Sequence, residues 1–169
     1  IDLMGPWYKQ SVWLSIWANL NLQLTYYTTG ITNHLDMEAP YFNMIENNKD
    51  QLSLNVPKNF QNDCAALQTV IMFNDLSGSV FLTNDSASKQ KMSLIALPWI
   101  MQQFYTHYRF EMDELRLRNS IYPLMRKAYN VYLRTLYLGS DHYYHLPLSF
   151  SDEYGEDQDV SMNLALAKW

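Results

Sequence analysis

The sequence predicts an all-α protein whose helices follow one another in pairs, joined by long loops. Apolar residues recur at intervals of three and four over most of the chain, which is the spacing of one helix face. Hydrophobic residues make up 48% of the 169 residues, enough for one domain with a substantial core. Helix pairs of this kind predict an α/α bundle, a solenoid or a toroid.

Five helices account for the periodic segments. We expect them at about 16–29, 36–55, 93–109, 113–137 and from about 160 onwards. Gly30 should end the first helix as a C-terminal cap. Pro57 should end the second, because the residue before a proline disfavours the helical conformation. Pro123 should break or kink the fourth.

Residues 58–92 interrupt the helical pattern. They are rich in Asn, Asp and Ser and hold two short β-branched or aromatic pieces, around Val70 and around Val80. This composition predicts a long excursion with one hairpin, longer than the loops that compact domains usually contain. Long loops on a rigid helical scaffold often carry functional sites.

The composition excludes several classes of function. A net charge of −5 leaves no basic face for nucleic acid. No apolar run approaches the roughly 18 residues of a membrane span. The single Cys64 excludes a disulfide scaffold and is expected to be a buried, inert thiol. The four histidines lack the spacing of metal ligands, so we expect no metal site and no cofactor.

The two ends of the sequence predict a longer protein. The chain begins with Ile1 rather than Met, and no basic region or apolar core of a signal peptide follows. It stops at Trp169, within the last predicted helix. We therefore expect the chain to be truncated at both ends.

The most unusual segment is acidic. Five carboxylates lie between Asp152 and Asp159, with no Lys or Arg among them. Like charges at this density raise one another's pKa, and burial beside Phe150 or Tyr154 would raise the pKa of one carboxyl further. A general acid needs such a raised pKa. A solvated acidic loop and a calcium site that includes Asp157 and Asp159 are the alternatives.

A second polar segment lies in the first predicted helix. Asn19, Asn21 and Gln23 alternate with leucines, close to tryptophan and tyrosine rings. Paired amides can bind sugar hydroxyls while the rings stack on the apolar face of the sugar. Helix capping and ordinary core hydrogen bonding are the alternatives. His107 lies on an apolar helix face, where we expect a hydrogen-bonded core histidine.

Several short motifs follow one another along nearly the whole chain. They read L-M-G-P-W at 3–7, N-L-N-L-Q-L-T-Y-Y at 19–27, A-L-P-W at 96–99, Y-T-H-Y-R-F at 105–110, I-Y-P-L-M-R-K-A at 121–128, S-F-S-D-E-Y-G at 149–155 and N-L-A-L-A-K-W at 163–169. In this order they resemble the motifs of the catalytic domain of the family 95 glycoside hydrolases, a family of α-L-fucosidases.

The resemblance implies a six-fold α/α toroid, of which residues 1–169 would form the N-terminal portion. It also implies inverting hydrolysis of an α-L-fucoside or a related linkage in a polysaccharide or glycan. Glu153 takes the place of the general acid, Asn21 that of the amide that orients the attacking water, and Asn19 lies beside it. The Asp that supports this water in the family would lie beyond Trp169.

Further expectations come from the same resemblance. The enzyme should be secreted or periplasmic, need no cofactor, and complete its site with the remainder of its own catalytic domain. The side chains expected at the substrate are Trp13, Trp17, Gln23, Tyr26 and Tyr154. The sequence departs from the family pattern at Asp152, where the family has Pro, and at Trp17, where fucosidases have His. A non-catalytic helical protein of the same fold, for carbohydrate binding or as a scaffold, is the alternative.

Overall fold

The computed structural model describes residues 15–72, 75–80, 92–151 and 155–169. Helices make up most of the regular structure in these ranges. They are α1 Asn21–Tyr26, a 3-10 turn Leu35–Glu38 that leads into α2 Ala39–Asn47, α3 Lys49–Leu54, α4 Ala96–Glu111, α5 Glu114–Arg116, a π-helical turn Leu117–Ile121, α6 Tyr122–Thr135 and α7 Ser161–Lys168. In the described part of the chain, no helix is both long and apolar enough to cross a membrane.

Three antiparallel ribbons of two strands each connect the helices. They are β1 Ile16–Trp17 with β2 Val70–Ile71, β3 Tyr137–Leu138 with β4 Tyr144–His145, and β5 Ser149–Ser151 with β6 Gly155–Asp157. The chain is therefore mainly helical, and the prediction of an all-α class missed these ribbons. They arise because the long connections must satisfy their own backbone hydrogen-bonding groups.

The first predicted helix is the one that differs most from the structure. Only its middle, Asn21–Tyr26, is helical, and it ends before Gly30. Ile16 and Trp17 instead pair with the excursion of residues 58–92. The hairpin expected within that excursion is reduced, among the described residues, to an isolated bridge between Met72 and Asp75. Tertiary pairing has overridden the local periodicity here.

Helices α1 and α4 lie side by side and run in the same direction. Near the start of α1, the backbone carbonyl of Gln23 accepts a hydrogen bond from Gln103 Nε2 at 2.7 Å. Just beyond the end of α1, the Phe110 ring lies against Gly30, so close that a Cβ at this glycine would come within 2.6 Å of the ring. Sequence position therefore increases in the same direction along both helices.

Helix α7 extends this parallel arrangement, and the helices between return in the opposite direction. The Tyr105 ring of α4 contacts Trp169 just past α7, with centroids 5.7 Å apart. Tyr132, near the end of α6, donates its hydroxyl to the carbonyl of Leu94, just before α4, at 3.1 Å. The chain thus alternates between a set of parallel helices (α1, α4 and α7) and antiparallel returns.

The hydrophobic core lies between these helices. Its centre holds Phe42 and Phe104, whose ring centroids are 3.8 Å apart, together with the fully buried Ile45 and Ile100. Cys64 is also fully buried, and this burial raises the pKa of its thiol to about 11. The inert thiol expected from the sequence is confirmed.

The break predicted at Pro123 takes the form of a π-helical turn. The N–H of Tyr122 donates to the carbonyl of Leu117, five residues earlier, instead of the usual four. Pro123 follows at the start of α6. A proline has no N–H, and its ring clashes with the carbonyl four residues before it, so a widened turn at this point accommodates the ring without ending the helix.

Asn55 fixes the long excursion to the helices. Its Nδ2 donates to the carbonyls of Ala66 and Leu76 at 2.9 and 2.8 Å, and its Oδ1 accepts from the N–H of Gly78 at 2.9 Å. The side chain is buried, with 2% of the residue exposed. One amide therefore satisfies three backbone groups of the excursion that would otherwise lack a partner.

We expect Asn55→Ala to destabilise the protein by about 2–4 kcal/mol, because it leaves buried backbone groups without hydrogen bonds. Urea unfolding measures this free energy. Asn43→Ala is the control, because it removes an amide of the same kind from an exposed position of α2. It should change the free energy of unfolding by less than about 0.5 kcal/mol. Equal effects of the two substitutions would contradict the role given to Asn55.

Candidate functional site

The two asparagines singled out by the sequence flank a strained turn. Leu20 has φ 66° and ψ −58°, and the N–H of Asn21 donates to the carbonyl of Asn19 at 2.8 Å. This is a γ-turn of the rare kind with positive φ. A leucine in this conformation brings its Cβ close to the following backbone and costs about 1–3 kcal/mol.

The structure holds this turn from both sides. Before it, the N–H of Ala18 donates to the carbonyl of Thr69 at 2.7 Å, continuing the pairing of β1 with β2. After it, the carbonyl of Leu20 accepts the first helical hydrogen bond of α1, from Leu24 at 2.8 Å. Strain persists only where the surroundings impose it, and such positions concentrate at functional sites.

Gln23 supports the turn from beneath. It is fully buried, and its Nε2 donates to the carbonyl of Ala18 at 2.9 Å. Asn19 and Asn21, in contrast, are both half-buried and partly open to solvent. The structure thus places Gln23 behind the backbone that carries the two asparagines, where a sugar cannot reach its side chain.

The acidic segment lies on the β5–β6 hairpin. Ser149 is buried, and its hydroxyl accepts a hydrogen bond from Asn163 of α7 at 3.0 Å. The N–H of Phe150 donates to the carbonyl of Met92, just before α4, at 2.7 Å. Residues 152–154, and with them Glu153 and Tyr154, lie outside the described residues, as does Trp13.

The turn and the hairpin lie at the same end of the parallel helices. Asn21 begins α1, and β5 and β6 precede α7. The two are linked across the segment before α4. Thr69, which holds Ala18, has its hydroxyl 3.3 Å from that of Ser93, and the neighbouring Met92 holds Phe150. Asn19, Asn21 and the hairpin therefore share one end of the helix array.

Tyr26 and Trp17 have other surroundings. Trp17 is half-buried in β1, opposite Val70. Tyr26 is at the far end of α1, about 7.5 Å along the helix axis from Asn21. Its ring stacks on Tyr41 with centroids 4.8 Å apart. Of the two residues, only Trp17 lies next to the turn, in the strand that precedes it.

Tyr26 lines a separate cleft of about 230 Å³ between α1, the 3-10 turn and α4. The buried Glu38 and His107 both line this cleft and contact each other. Glu38 accepts hydrogen bonds from Thr29 and, at 2.7 Å, from His107 Nδ1, while His107 Nε2 lies 3.2 Å from Glu111. The expectation that His107 is a hydrogen-bonded core histidine is confirmed. The sequence analysis did not predict Glu38 as the partner of His107. The one sign in the sequence that His107 has a carboxylate partner was Glu111, one helical turn away.

Within the described part of the acidic segment, Asp159 departs from the solvated loop that one alternative supposed. Asp159 is half-buried, accepts from the N–H of Leu146 at 2.7 Å and pairs with His145 at 2.6 Å. Asp157 and Glu156 are exposed on β6. The calcium alternative needed both Asp157 and Asp159 as ligands, and the carboxylate of Asp159 is already engaged by the protein.

Comparison with known families identifies the chain. A family model described as the glycosyl hydrolase family 95 catalytic domain matches residues 1–167. The chain belongs to glycoside hydrolase family 95. No curated protein and no solved structure matches it. The match covers the turn and the hairpin together, so both belong to the catalytic domain of a glycosidase family.

Membership of this family relates the shared end of the helices to the chemistry of glycosidases. Most glycosidases place two groups on either side of the scissile bond, and one of them donates a proton to the leaving oxygen. Among the described residues, the hairpin strands carry the carboxyl groups of Glu156 and Asp157, and the turn is flanked by Asn19 and Asn21. Carboxyl and amide groups can both form hydrogen bonds with water or sugar hydroxyls.

The strain at Leu20 is open to a direct test. We expect Leu20→Gly to leave the free energy of unfolding unchanged or to raise it by up to about 1 kcal/mol, because glycine adopts positive φ at no steric cost. Leu24→Gly, at a similarly exposed position of the same helix, should lower it by about 1 kcal/mol. Chemical unfolding of both variants gives the comparison, and equal losses would show that Leu20 is unstrained.

Proposed function

We propose that this chain is the part of a family 95 catalytic domain that supplies the general acid and the water-orienting amides of an inverting glycosidase. The substrate is an α-L-fucoside or a related linkage in a polysaccharide or glycan. The observation that carries the proposal is the strained turn between Asn19 and Asn21, at the helix end that also bears the acidic hairpin.

Glu153 is the proposed acid. It lies in sequence midway between Ser151 and Gly155, the last pair of the β5–β6 ladder. A protonated carboxyl there donates its proton to the glycosidic oxygen as the bond to the anomeric carbon breaks. The negative charges of the neighbouring Asp152 and Glu156 disfavour a further negative charge on Glu153. They therefore favour the protonated form of Glu153 that this step requires.

Asn21 is the proposed water-orienting residue, with Asn19 beside it. Inversion requires water to attack the face opposite the leaving group, so acid and water-activating groups stand roughly 6.5–9.5 Å apart. An amide carbonyl positions water by hydrogen bonding but is a poor base. The carboxylate that removes the proton would come from the remainder of the catalytic domain, beyond Trp169.

The substrate-contacting rings and the supporting amide follow from the same arrangement. We infer that Trp13, Trp17 and Tyr154 offer ring faces to the sugar, which is how proteins commonly bind its apolar side. Gln23 acts through Ala18 and the turn rather than by contact with the substrate. Tyr26, stacked on Tyr41 at the other end of α1, has the weakest case as a sugar ligand.

The helix order supports a toroid for the whole domain. Parallel α1, α4 and α7 with antiparallel returns are what inner and outer helices of an α/α toroid require. We propose that residues 1–169 form its N-terminal portion and that later helices close the ring and complete the site. A secreted or periplasmic location is proposed on the polysaccharide or glycan substrate alone.

The alternative function is carbohydrate binding without catalysis on the same fold. The departure at Trp17, where fucosidases of the family have His, bears on the sugar rather than on catalysis. The strained turn favours catalysis over this alternative, since backbone strain concentrates at functional sites where it is part of the mechanism. The two functions differ in a measurable way, because only the enzyme releases a free sugar.

Glu153→Gln in the full-length protein should lower kcat by about 10²–10⁴-fold on a substrate with an alkyl or sugar leaving group. On an aryl glycoside with a good leaving group the loss should be much smaller, because that oxygen departs without a proton. Release of free sugar from both substrates measures this contrast.

Glu156→Gln is the matched control, because it removes an acidic charge three residues away, on the exposed strand β6. It should change kcat on either substrate less than about tenfold. If Glu153→Gln lowered the two rates by one common factor, or Glu156→Gln showed the contrast instead, the assignment of the acid would be wrong. Sugar binding without release from any substrate would identify the non-catalytic alternative.

A further inference from the structure

A histidine flanked by two carboxylates closes the base of the acidic hairpin. His145 Nδ1 lies 2.6 Å from Asp159 Oδ2, and His145 Nε2 lies 3.1 Å from both carboxylate oxygens of Asp141. Both ring nitrogens thus face acceptors. Only the imidazolium form of histidine can donate from both nitrogens at once. The cluster is a cation held between two anions.

Asp159 connects the segment before β5 with the segment after β6. Its Oδ1 accepts from the N–H of Leu146 at 2.7 Å, and its own N–H donates to the carbonyl of Leu146 at 3.4 Å. His145 and Leu146 precede β5, whereas Asp159 follows β6 and leads directly into α7. Asp159 also has a positive φ of 56°, so its backbone turns sharply at this junction.

We propose that His145 is a positioning residue that holds the β5–β6 hairpin in the place its acid requires, by clamping Asp159 and Asp141. This inference rests on the proposed function, in which the hairpin carries Glu153. The outgoing strand β5 is anchored separately, through Phe150 to Met92. The contacts of His145 with Asp159 fix the chain just after β6, so that both strands of the hairpin are held.

The clamp acts on rate because proton transfer is sensitive to position. A displacement of about 1 Å at a reacting group can cost about 10²-fold in rate. The hairpin is a ribbon of only two strands, which is marginal in stability unless other groups fix it. Loss of His145 should therefore shift the acid, while the neighbouring Leu146, buried in one cluster with Tyr132 of α6 and Leu166 of α7, should keep the helices packed.

The ionisation of the cluster agrees with this geometry. Hydrogen bonding to Asp159, and then to Asp141, raises the pKa of His145 above its ordinary value of 6.5. Hydrogen bonding to His145 lowers the pKa of Asp159 below its ordinary 3.8, and the N–H of Tyr143, followed by His145, lowers that of Asp141. Among the described residues, the Tyr137 ring also lies beside the imidazole, with ring centroids 5.7 Å apart.

The direction of the pH effect follows from these shifts. The histidine contribution is complete below pH 6.5 and is lost as the pH rises through its raised pKa. The aspartate contributions are complete above pH 3.8 and are lost as the pH falls through their lowered pKa values. Both contributions are therefore complete between pH 3.8 and pH 6.5. As the pH rises from neutrality, the contribution of His145 is lost.

The test is a double-mutant cycle in the full-length enzyme with His145→Asn and Glu153→Gln. Asparagine is too short to bridge both aspartates. His145→Asn alone should lower kcat by about 10–100-fold on the substrate with a poor leaving group, with little change in KM and little loss on the activated aryl glycoside. Added to Glu153→Gln, it should cause no further loss, because it acts through the acid.

Two further variants keep the test decisive. His142→Asn replaces an exposed histidine between β3 and β4 and should leave both rates unchanged. Asp159→Asn keeps an acceptor for Leu146 but removes the charge, and it should reproduce the effect of His145→Asn if that variant folds poorly. The ratio of wild-type to His145→Asn rates should fall towards one as the pH rises through the pKa of His145.

The outcomes separate the two proposals. If Glu153→Gln shows no dependence on the leaving group, the assignment of the acid fails, and the positioning role fails with it. If Glu153→Gln behaves as expected but His145→Asn slows both substrates equally, or multiplies the loss of Glu153→Gln, then His145 is only structural. Loss confined to the poor leaving group and absent in the double variant supports the positioning role.

Discussion

The pairing of β1 with β2 is the constraint on which the candidate site depends. It sets Ala18 against Thr69, and this contact holds the backbone just before the strained turn at Leu20. Thr69 also contacts Ser93, next to the backbone that binds the β5–β6 hairpin. Without this pairing, α1 could begin two or three residues earlier, as its periodicity favours. Asn19 and Asn21 would then lie within a regular helix, about 200° apart around its axis and so on nearly opposite faces.

Much of the helical frame could be predicted from the sequence, because apolar spacing and proline positions determine it locally. The helices expected at 93–109, 113–137 and from 160 are found at Ala96–Glu111, Glu114–Thr135 with its π-helical turn, and Ser161–Lys168. The first helix was predicted too long at both ends, since only Asn21–Tyr26 is helical. A run such as I-W-A-N-L-N-L-Q-L fits a helix and an extended strand equally well, and only the distant Val70–Ile71 decides between them.

The residue types of the candidate site can be read from the sequence, but their geometry cannot. Amides beside aromatic rings and a run of carboxylates are the features on which the proposal of a sugar-binding site with a general acid rests. The positive φ of Leu20 leaves no mark in the sequence, since leucine is not a residue that favours this conformation. His145 and Asp159 are 14 residues apart, and Glu38 and His107 are 69 apart, so one sequence alone cannot pair them.

The network of polar and charged side chains below Tyr41 has a consequence for how the helices are held together. Glu38, His107, Glu111, Arg116 and Glu46 link the 3-10 turn, α2, α4 and α5 at the end of α1 remote from Asn21. Side-chain contacts between four elements hold this end, while the other end has the strained turn and the short ribbons. The candidate site therefore lies at the end of the helices that is held by backbone pairing, whereas side-chain contacts hold the opposite end.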